Sequence, residues 1–320
     1  MKKVKVGIIG GGGYTAGELL RILAFHPAVE LSFVYSSSQQ GKRISQIHED
    51  LFFLDPLRFS ASIDDADVLF LCQGHGKAVS FMKDHNIPKK TLVIDLGNDF
   101  RIDNNHWVYG LPEINRSDIS QATRVANCGC FATAIQLALL PLASKSFLKE
   151  DIHISAITGS TGAGQLPRPT THFSWRNNNI SAYKVFNHQH EAEVYQSITQ
   201  LQDDYKSKLR FIPYRGNFSR GILATVYTKV SLSQDEAVDL FQSYYDKHPF
   251  VIIKEDSITV KSVVNTNFCA LNITVNDGYI IIQSAIDNLI KGASGQAVQN
   301  MNLALGLPEI MGLDLKPIGY

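Results

Sequence analysis

A chain of 320 residues, 44% of them hydrophobic, is long enough for two ordinary domains with cores of their own. Lys and Arg total 30 and Asp and Glu total 30, so the charge balance forces no basic face and gives no sign of nucleic-acid binding. Met1 to Gly10 runs straight into a strand and glycines without a signal peptide's apolar region, and no apolar stretch approaches the roughly 18 residues of a membrane span. The longest, Ala134 to Ala143, is broken by Pro141. The expectation is a cytoplasmic protein without membrane or nucleic-acid partners.

In chain order, Val4 to Ile9 reads as a strand ending in glycines. Tyr14 to Phe25 follows with helical spacing of Leu19, Leu20, Leu23 and Ala24. Val29 to Tyr35, Asp67 to Cys72 and Thr91 to Leu96 are further apolar runs. Strands alternating with helices predict βαβ units and a parallel sheet of Rossmann type. Ile152 to Thr158 reads as a strand, and a loop from Gly159 to Asn187 follows, long enough to suggest function. A helix starts near His190, and strand-like runs recur at Ile222 to Val230, Phe250 to Ile253, Ala270 to Val275 and Tyr279 to Ile286. Ser233 and Glu236 predict a capping box before a helix at Asp235 to Asp246, and Asn276-Asp277-Gly278 predicts a tight hairpin turn. This half reads as an α+β domain with a mainly antiparallel sheet. The last helix, about Gly292 to Leu305, packs back on the first domain in this reading. The dinucleotide-binding domain is then 1–131 with 292–320, and the substrate and oligomerisation domain 132–291.

Gly10-Gly11-Gly12-Gly13-Tyr14-Thr15 lies between the first strand and first helix. Glycines there permit a tight turn and let backbone N–H groups approach a pyrophosphate, which the helix start also attracts. A glycine string alone is equally an ordinary turn; its place at the head of a βαβ unit favours dinucleotide binding. The next strand ends in Tyr35-Ser36-Ser37-Ser38, with Lys42 and Arg43 after it. An NAD site usually sets a carboxylate here for the ribose hydroxyls, whereas hydroxyls and cations suit the 2′-phosphate of NADP.

Of the four cysteines, Cys72 and Cys269 sit in apolar runs and read as buried structural thiols. Cys128 and Cys130 flank Gly129 just before an apolar helical run. A Cys at a helix start feels the macrodipole and free N–H groups, which favour the nucleophilic thiolate. Cys130, closer to the helix, carries the functional reading, and Cys128 the structural one. His190 and Glu193 are three apart and share a helix face, so Glu193 can orient the imidazole, while His188 points elsewhere if the helix has already begun there. Spacing places no third metal ligand, and no metal is expected.

These segments resemble the N-acetyl-gamma-glutamyl-phosphate reductase family over nearly the whole chain. The motifs are the opening glycine loop, Asp95 to Arg101, Tyr109 to Glu113, Asn127 to Thr133, Gly159 to Gly164, His188 to Gln196, Arg215-Gly216 and Lys291 to Asn300. Departures are Cys128 for a usual Pro, Phe131-Ala132 for Tyr-Pro, Gln165 and Gln189 for Arg, and Ala192 for Pro. The resemblance implies that Cys130 attacks an acyl phosphate, that NADPH reduces the resulting thioester, and that the product is a semialdehyde of arginine biosynthesis. It implies a homo-oligomer, dimer or tetramer. Arg101 is the candidate for the leaving phosphate, and Arg215 and Lys184 for the substrate carboxylate. Asn127, Ser160, Gly164 and His188 join the substrate contacts, and Gly162 and Asn288 those of the cofactor. Arg168 and Arg176 add charge to the long loop, either as solvated residues or to meet a carboxylate on a larger acyl group. Aspartate-semialdehyde dehydrogenase is the nearest alternative, and a non-catalytic NADP sensor another; Cys130 together with His190 argues against the second.

Overall fold

The computed structural model describes residues 3–74, 76–102 and 106–319. The chain forms two compact units, Met1–Cys128 with Ala293–Asp314, and Gly129–Gly292 with Leu315–Tyr320. The division thus falls at 128/129 and 292/293, where the sequence reading set 131/132 and 291/292, and the last residues group with the second unit.

Among the described residues the first unit holds a seven-stranded sheet: β1 (Val4–Ile9), β2 (Val29–Tyr35), β3 (Phe59–Ser60), β4 (Val68–Leu71), β5 (Leu92–Asp95), β6 (Val108–Gly110) and β7 (Arg124–Asn127). Every pair is parallel, in the order β3-β2-β1-β4-β5-β7-β6. Strands covered on both faces read as unbroken apolar runs, and β4 and β5 are buried throughout. The strand order reverses at β1, which leaves a crevice at the carboxyl ends of β1 and β4. Helix α1 (Tyr14–Leu23) buries Leu19, Leu20 and Leu23, the face its spacing predicts. Helices α2 (Ala78–Asp84) and α3 (Pro112–Ile119) follow, and a C-terminal helix, Gly295–Ala304, returns to this unit. That helix is tied in by the Asn300 amide, which donates to Gly110 O at 3.0 Å and Asn127 Oδ1 at 2.9 Å.

The second unit opens with α4 (Cys130–Ser144), followed by β8 (Ile152–Thr158), α5 (Phe173–Arg176), β9 (Ser181–Ala182), α6 (His190–Leu201) and β10 (Leu209–Arg215). Then come β11 (Ile222–Lys229), α7 (Gln234–Tyr245), β12 (Val251–Ile253), β13 (Cys269–Asn276) and β14 (Tyr279–Ile286). The sheet order is β12-β13-β14-β11-β8-β10-β9; β12–β13 and β8–β10 are parallel and the other pairs antiparallel. Asp277 and Gly278, at φ of 49° and 75°, join β13 to β14 in the two-residue turn whose twist matches a hairpin. Ser233 and Glu236 form the expected capping box on α7.

Pro141 does not break the apolar run as the sequence reading had it, because α4 continues through it to Ser144. A proline in a helix interior leaves the carbonyl four residues earlier without its amide donor. That carbonyl belongs to Leu137, and the Tyr245 hydroxyl donates to it at 2.6 Å. The side chain from α7 thus supplies the bond that the helix cannot. From Phe131 to Ala143 every residue of α4 is buried, so the helix is fixed along its length.

Candidate active site

The glycine loop of the first unit divides into two pairs. Gly10 has φ +88°, and a Cβ there would lie 2.8 Å from the Cys72–Gln73 backbone. A Cβ on Gly11 would meet Val34 at 2.3 Å. These two glycines are needed for close packing. Gly12 and Gly13 are different: a Cβ on Gly13 would meet nothing within 4 Å, and one on Gly12 only Gln39 at 3.6 Å and the Ser36 hydroxyl at 4.0 Å. They line open space at the start of α1, where Gly13 has no side chain to cap the first turn and no acidic residue stands. Such a helix start accepts a pyrophosphate. Tyr14 is exposed beside it. The Thr15 hydroxyl is hydrogen-bonded to the Cys72 thiol, which burial pushes up to about 12, although the residue as a whole is half-buried and not buried as its apolar run predicts.

Beyond β2, Ser36 is buried and Ser38 exposed, and Lys42 Nζ donates to Gln39 at 2.9 Å. The backbones of Arg43 and Arg58 form an antiparallel bridge, which brings a third cation to this corner. Arg43 is shared with Asp55 at 3.6 Å. Arg58 was not legible in sequence, since only the tertiary pairing links it to Arg43.

Two predicted substrate residues of this unit have internal partners. The Asn127 amide donates to Ala293 O at 3.0 Å and accepts from Asn300 at 2.9 Å. Arg101 is buried and donates to Leu96 O at 3.1 Å. Burial raises the Asp95 carboxyl to about 6, although the Gly97 N–H donates to it at 2.9 Å and the charge of Arg101 opposes the rise. Cys128 is buried, with its sulfur 2.8 Å from the Tyr109 hydroxyl.

In the second unit Cys130 is the first residue of α4 and half-buried. Glu193, almost fully buried, accepts the Gly129 N–H at 2.9 Å, the residue before the thiol. Its other oxygen is 3.8 Å from His190 Nε2, an ion-pair distance beyond a hydrogen bond. Glu193 therefore anchors the turn before Cys130 and also pairs with His190 on the shared helix face. The helix begins only at His190, so His188 lies before it, and its ring centroid is 4.6 Å from that of His190. Its Nδ1 accepts the His190 N–H at 3.2 Å, and Glu191 accepts the His188 N–H at 2.8 Å. These two bonds tie His188 to the entry of α6, whose N-cap residue is Gln189. Burial, with Lys184 and Arg215 nearby, lowers His188 to about 4, consistent with a neutral ring that accepts at Nδ1. Phe131 sits edge-on to both histidines.

Arg215, at the end of β10, lies over the Tyr183 ring at 4.5 Å. Burial pushes the Tyr183 phenol up to about 12, with Arg215 opposing the rise and Cys130 adding to it. Sequence reasoning passed over Tyr183, although it heads the histidine segment. Lys184, at φ 46°, donates to Gln189 at 2.9 Å. The Ser160–Ala163 turn is held by Ser160 N–H to Phe218 O at 2.8 Å and by the Asn288 amide to Thr161 at 3.0 Å. Asn288 also accepts the Gly221 N–H at 2.7 Å, so it shapes this turn. Gly162 is exposed beside it, and Gly164, at φ +81°, opens into free space. Arg168 is exposed, but Arg176 is buried and donates to Thr170 O, Asn179 O, Arg215 O and Ser181 Oγ. A guanidinium has five N–H donors, and here they close the long loop; Arg176 is not placed to meet a substrate carboxylate.

Comparison with known proteins agrees with this division. The family described as semialdehyde dehydrogenase, NAD binding domain, matches residues 5–122. Semialdehyde dehydrogenase, dimerisation domain, matches residues 130–288. The N-acetyl-gamma-glutamyl-phosphate reductase of Flavobacterium johnsoniae is 52% identical over 99% of this chain and 100% of its own length. That of Bacteroides thetaiotaomicron is 51% identical over 99% and 100%. Among solved structures, aspartate semialdehyde dehydrogenase II of Vibrio cholerae, complexed with ASA, has a TM-score of 0.75 at 16% identity, covering 96% of this chain and 99% of that one. Aspartate semialdehyde dehydrogenase with NADP from Candida albicans has a TM-score of 0.71 at 12% identity, covering 94% and 98%. At these identities the structures show a shared fold.

Proposed function

Because the chain belongs to the N-acetyl-gamma-glutamyl-phosphate reductase family, we propose that it reduces N-acetyl-gamma-glutamyl phosphate to the 5-semialdehyde and phosphate, in arginine biosynthesis. The observation that carries the reading is Cys130 at the first position of α4, between Gly129, whose N–H Glu193 accepts, and Phe131, whose ring sits edge-on to both His188 and His190. A helix start favours negative charge on the sulfur.

Cys130 Sγ attacks the acyl carbon; the C–S bond forms as the C–O bond to phosphate breaks. This splits a difficult reduction into two easier steps. A bound nicotinamide dinucleotide supplies the hydride that reduces the thioester carbon. His190 gives a proton to the carbonyl oxygen and takes it back as the C–S bond breaks and the aldehyde leaves. The Cys130 N–H and its helix-start neighbours hold the developing oxyanion. Glu193 keeps Gly129, and with it the thiol, in place. Arg215 and Lys184 bind the substrate α-carboxylate, with Ser160, Gly164 and His188 lining the site and Arg101 meeting the phosphate.

For the cofactor, Gly10, Gly12, Gly13, Tyr14 and Thr15 take the pyrophosphate side, and Gly162 and Asn288 the nicotinamide side. The open space at Gly12 and Gly13 supports the fit. NADP is our choice over NAD: Ser36 and Ser38 bring no carboxylate, and Lys42, Arg43 and Arg58 gather beside them. No helix among the described residues is long and apolar enough to cross a membrane. We place the enzyme in the cytoplasm as a homo-oligomer. The test is phosphate-dependent oxidation of N-acetylglutamate 5-semialdehyde with NADP. Turnover supports the reading; no turnover, or turnover only with aspartate semialdehyde, rejects it.

A further inference from the structure

We propose that Gly292 is a positioning residue for Cys130, and that the buried Asp287 carboxylate holds the turn that carries it. This rests on the reading of Cys130 as the nucleophile. A Cβ built on Gly292 would lie 2.8 Å from Cys130 Cβ and 3.1 Å from Cys130 Cα. The absent side chain is therefore a slot that the thiol residue itself occupies. Neither partner can give way through a flexible tip, because the atoms in contact are the first two of the cysteine. Behind Cys130 stands α4, buried from Phe131 to Ala143.

The other side is equally fixed. Gly292 lies within a π-helical turn, Ile290–Ser294, a local geometry often found at functional sites. Its N–H donates to Asp287 O at 2.9 Å. Asp287 Oδ1 accepts from Leu289 N at 2.8 Å and Ile290 N at 3.2 Å, the entry of the turn. Oδ2 accepts from Asn265 N at 2.7 Å and pairs with Arg220 at 2.9 Å. The carboxylate is completely buried, so these bonds set where the turn, and Gly292, stand. Glu193 holds the residue before the thiol, and Gly292 abuts the thiol residue itself. Together they leave Cys130 little freedom except rotation of its sulfur.

A methyl group at 292 must move Cys130 by several tenths of an ångström. Misplacement on the order of 1 Å costs about 10²-fold in a reaction that depends on approach geometry. The test compares Gly292→Ala with the parent and with Cys130→Ser in the full-length enzyme. Measured are the single-turnover rate of phosphate release from the acyl phosphate, the pH profile of Cys130 alkylation by iodoacetamide, and NADPH affinity by fluorescence. Gly292→Ala is expected to slow phosphate release about 10- to 100-fold and to shift the alkylation profile, with NADPH affinity within a few-fold of the parent. Asp287→Asn, which loosens the turn without adding volume, is expected to lower the same rate and move the same profile, and serves if Gly292→Ala fails to fold. Parent-like rates and profiles in a folded Gly292→Ala enzyme, or in Asp287→Asn where the first does not fold, overturn the proposal. So does a loss confined to NADPH binding. An active Cys130→Ser enzyme instead overturns the assignment of the nucleophile.

Discussion

Replacing Tyr245 by Phe removes one hydroxyl and leaves the ring. In the structure that hydroxyl is the donor to Leu137 O, a buried carbonyl whose helical donor Pro141 cannot provide. The loss is not that of a solvated bond, since Leu137 is fully buried and Tyr245 is 4% exposed. Leaving a buried carbonyl unsatisfied costs ~1–3 kcal/mol. For a unit of this size each kcal/mol lowers Tm by roughly 2–4 °C, so a mid-range loss of ~2 kcal/mol corresponds to a fall of about 4–8 °C. The diagnostic is a double-mutant cycle followed by thermal melting. Pro141→Ala restores an amide at 141 that can bond Leu137 O, so Tyr245→Phe in that background is expected to cost about half as much or less. Activity below the melt stays near the parent's, because the change lies far along α4 from Cys130. An unchanged Tm in Tyr245→Phe, or the same loss in both backgrounds, refutes the reasoning.

Removing the second imidazole, His190→Ala, is expected to lower kcat by about 10²–10⁴-fold, the range of a general acid–base. His188→Asn keeps a polar side chain before α6 and is expected to lose less; the reverse order means that the proton-transfer role belongs to His188. His188 also sets a pH dependence. Its folded value of about 4 lies below the ordinary 6.5, so the unfolded chain takes up the proton first as pH falls. The stability that the neutral ring contributes is complete above about 6.5 and lost towards 4, and the parent's Tm should fall more steeply across that window than the Tm of His188→Asn. Equal slopes contradict it. For the cofactor, kcat/KM should favour NADP over NAD, and Arg58→Ala should narrow that preference without slowing the NAD reaction; equal use of both cofactors by the parent removes the 2′-phosphate reading.

The sequence carries the fold well where its signals are long or chemically specific. Ile152 to Thr158 and Tyr279 to Ile286 are strands at the predicted bounds, and the capping box and hairpin turn form as predicted. Short strands escape, because Val108–Gly110 and Arg124–Asn127 hold too few residues for a pattern. β10 escapes for another reason: Pro213 interrupts its run, and proline argues against a strand unless it lies near a sheet edge, where β10 pairs beyond β8 only with the two-residue β9. At the site, residue types were legible but their partners were not. Glu193 lies three positions from His190, yet its nearer contact is Gly129, 64 residues away. Arg176 reads as a solvated charge or a carboxylate ligand because nothing local announces the three loop groups and the Arg215 carbonyl that gather on it. Pro141 reads as a break because the hydroxyl that repairs the helix comes from Tyr245, 108 residues beyond the Leu137 carbonyl it bonds.

The central claim is that Cys130 forms a covalent thioester. Mixing the enzyme with N-acetyl-gamma-glutamyl phosphate in the absence of NADPH, quenching in acid and mapping the mass increment by peptide fragmentation tests it directly. The acyl group is expected on Cys130, at close to one per chain, released on adding NADPH and absent from Cys130→Ser, which should not turn over; Cys128→Ala should still trap it. An adduct on Cys128, or turnover by the Cys130→Ser enzyme, contradicts the account.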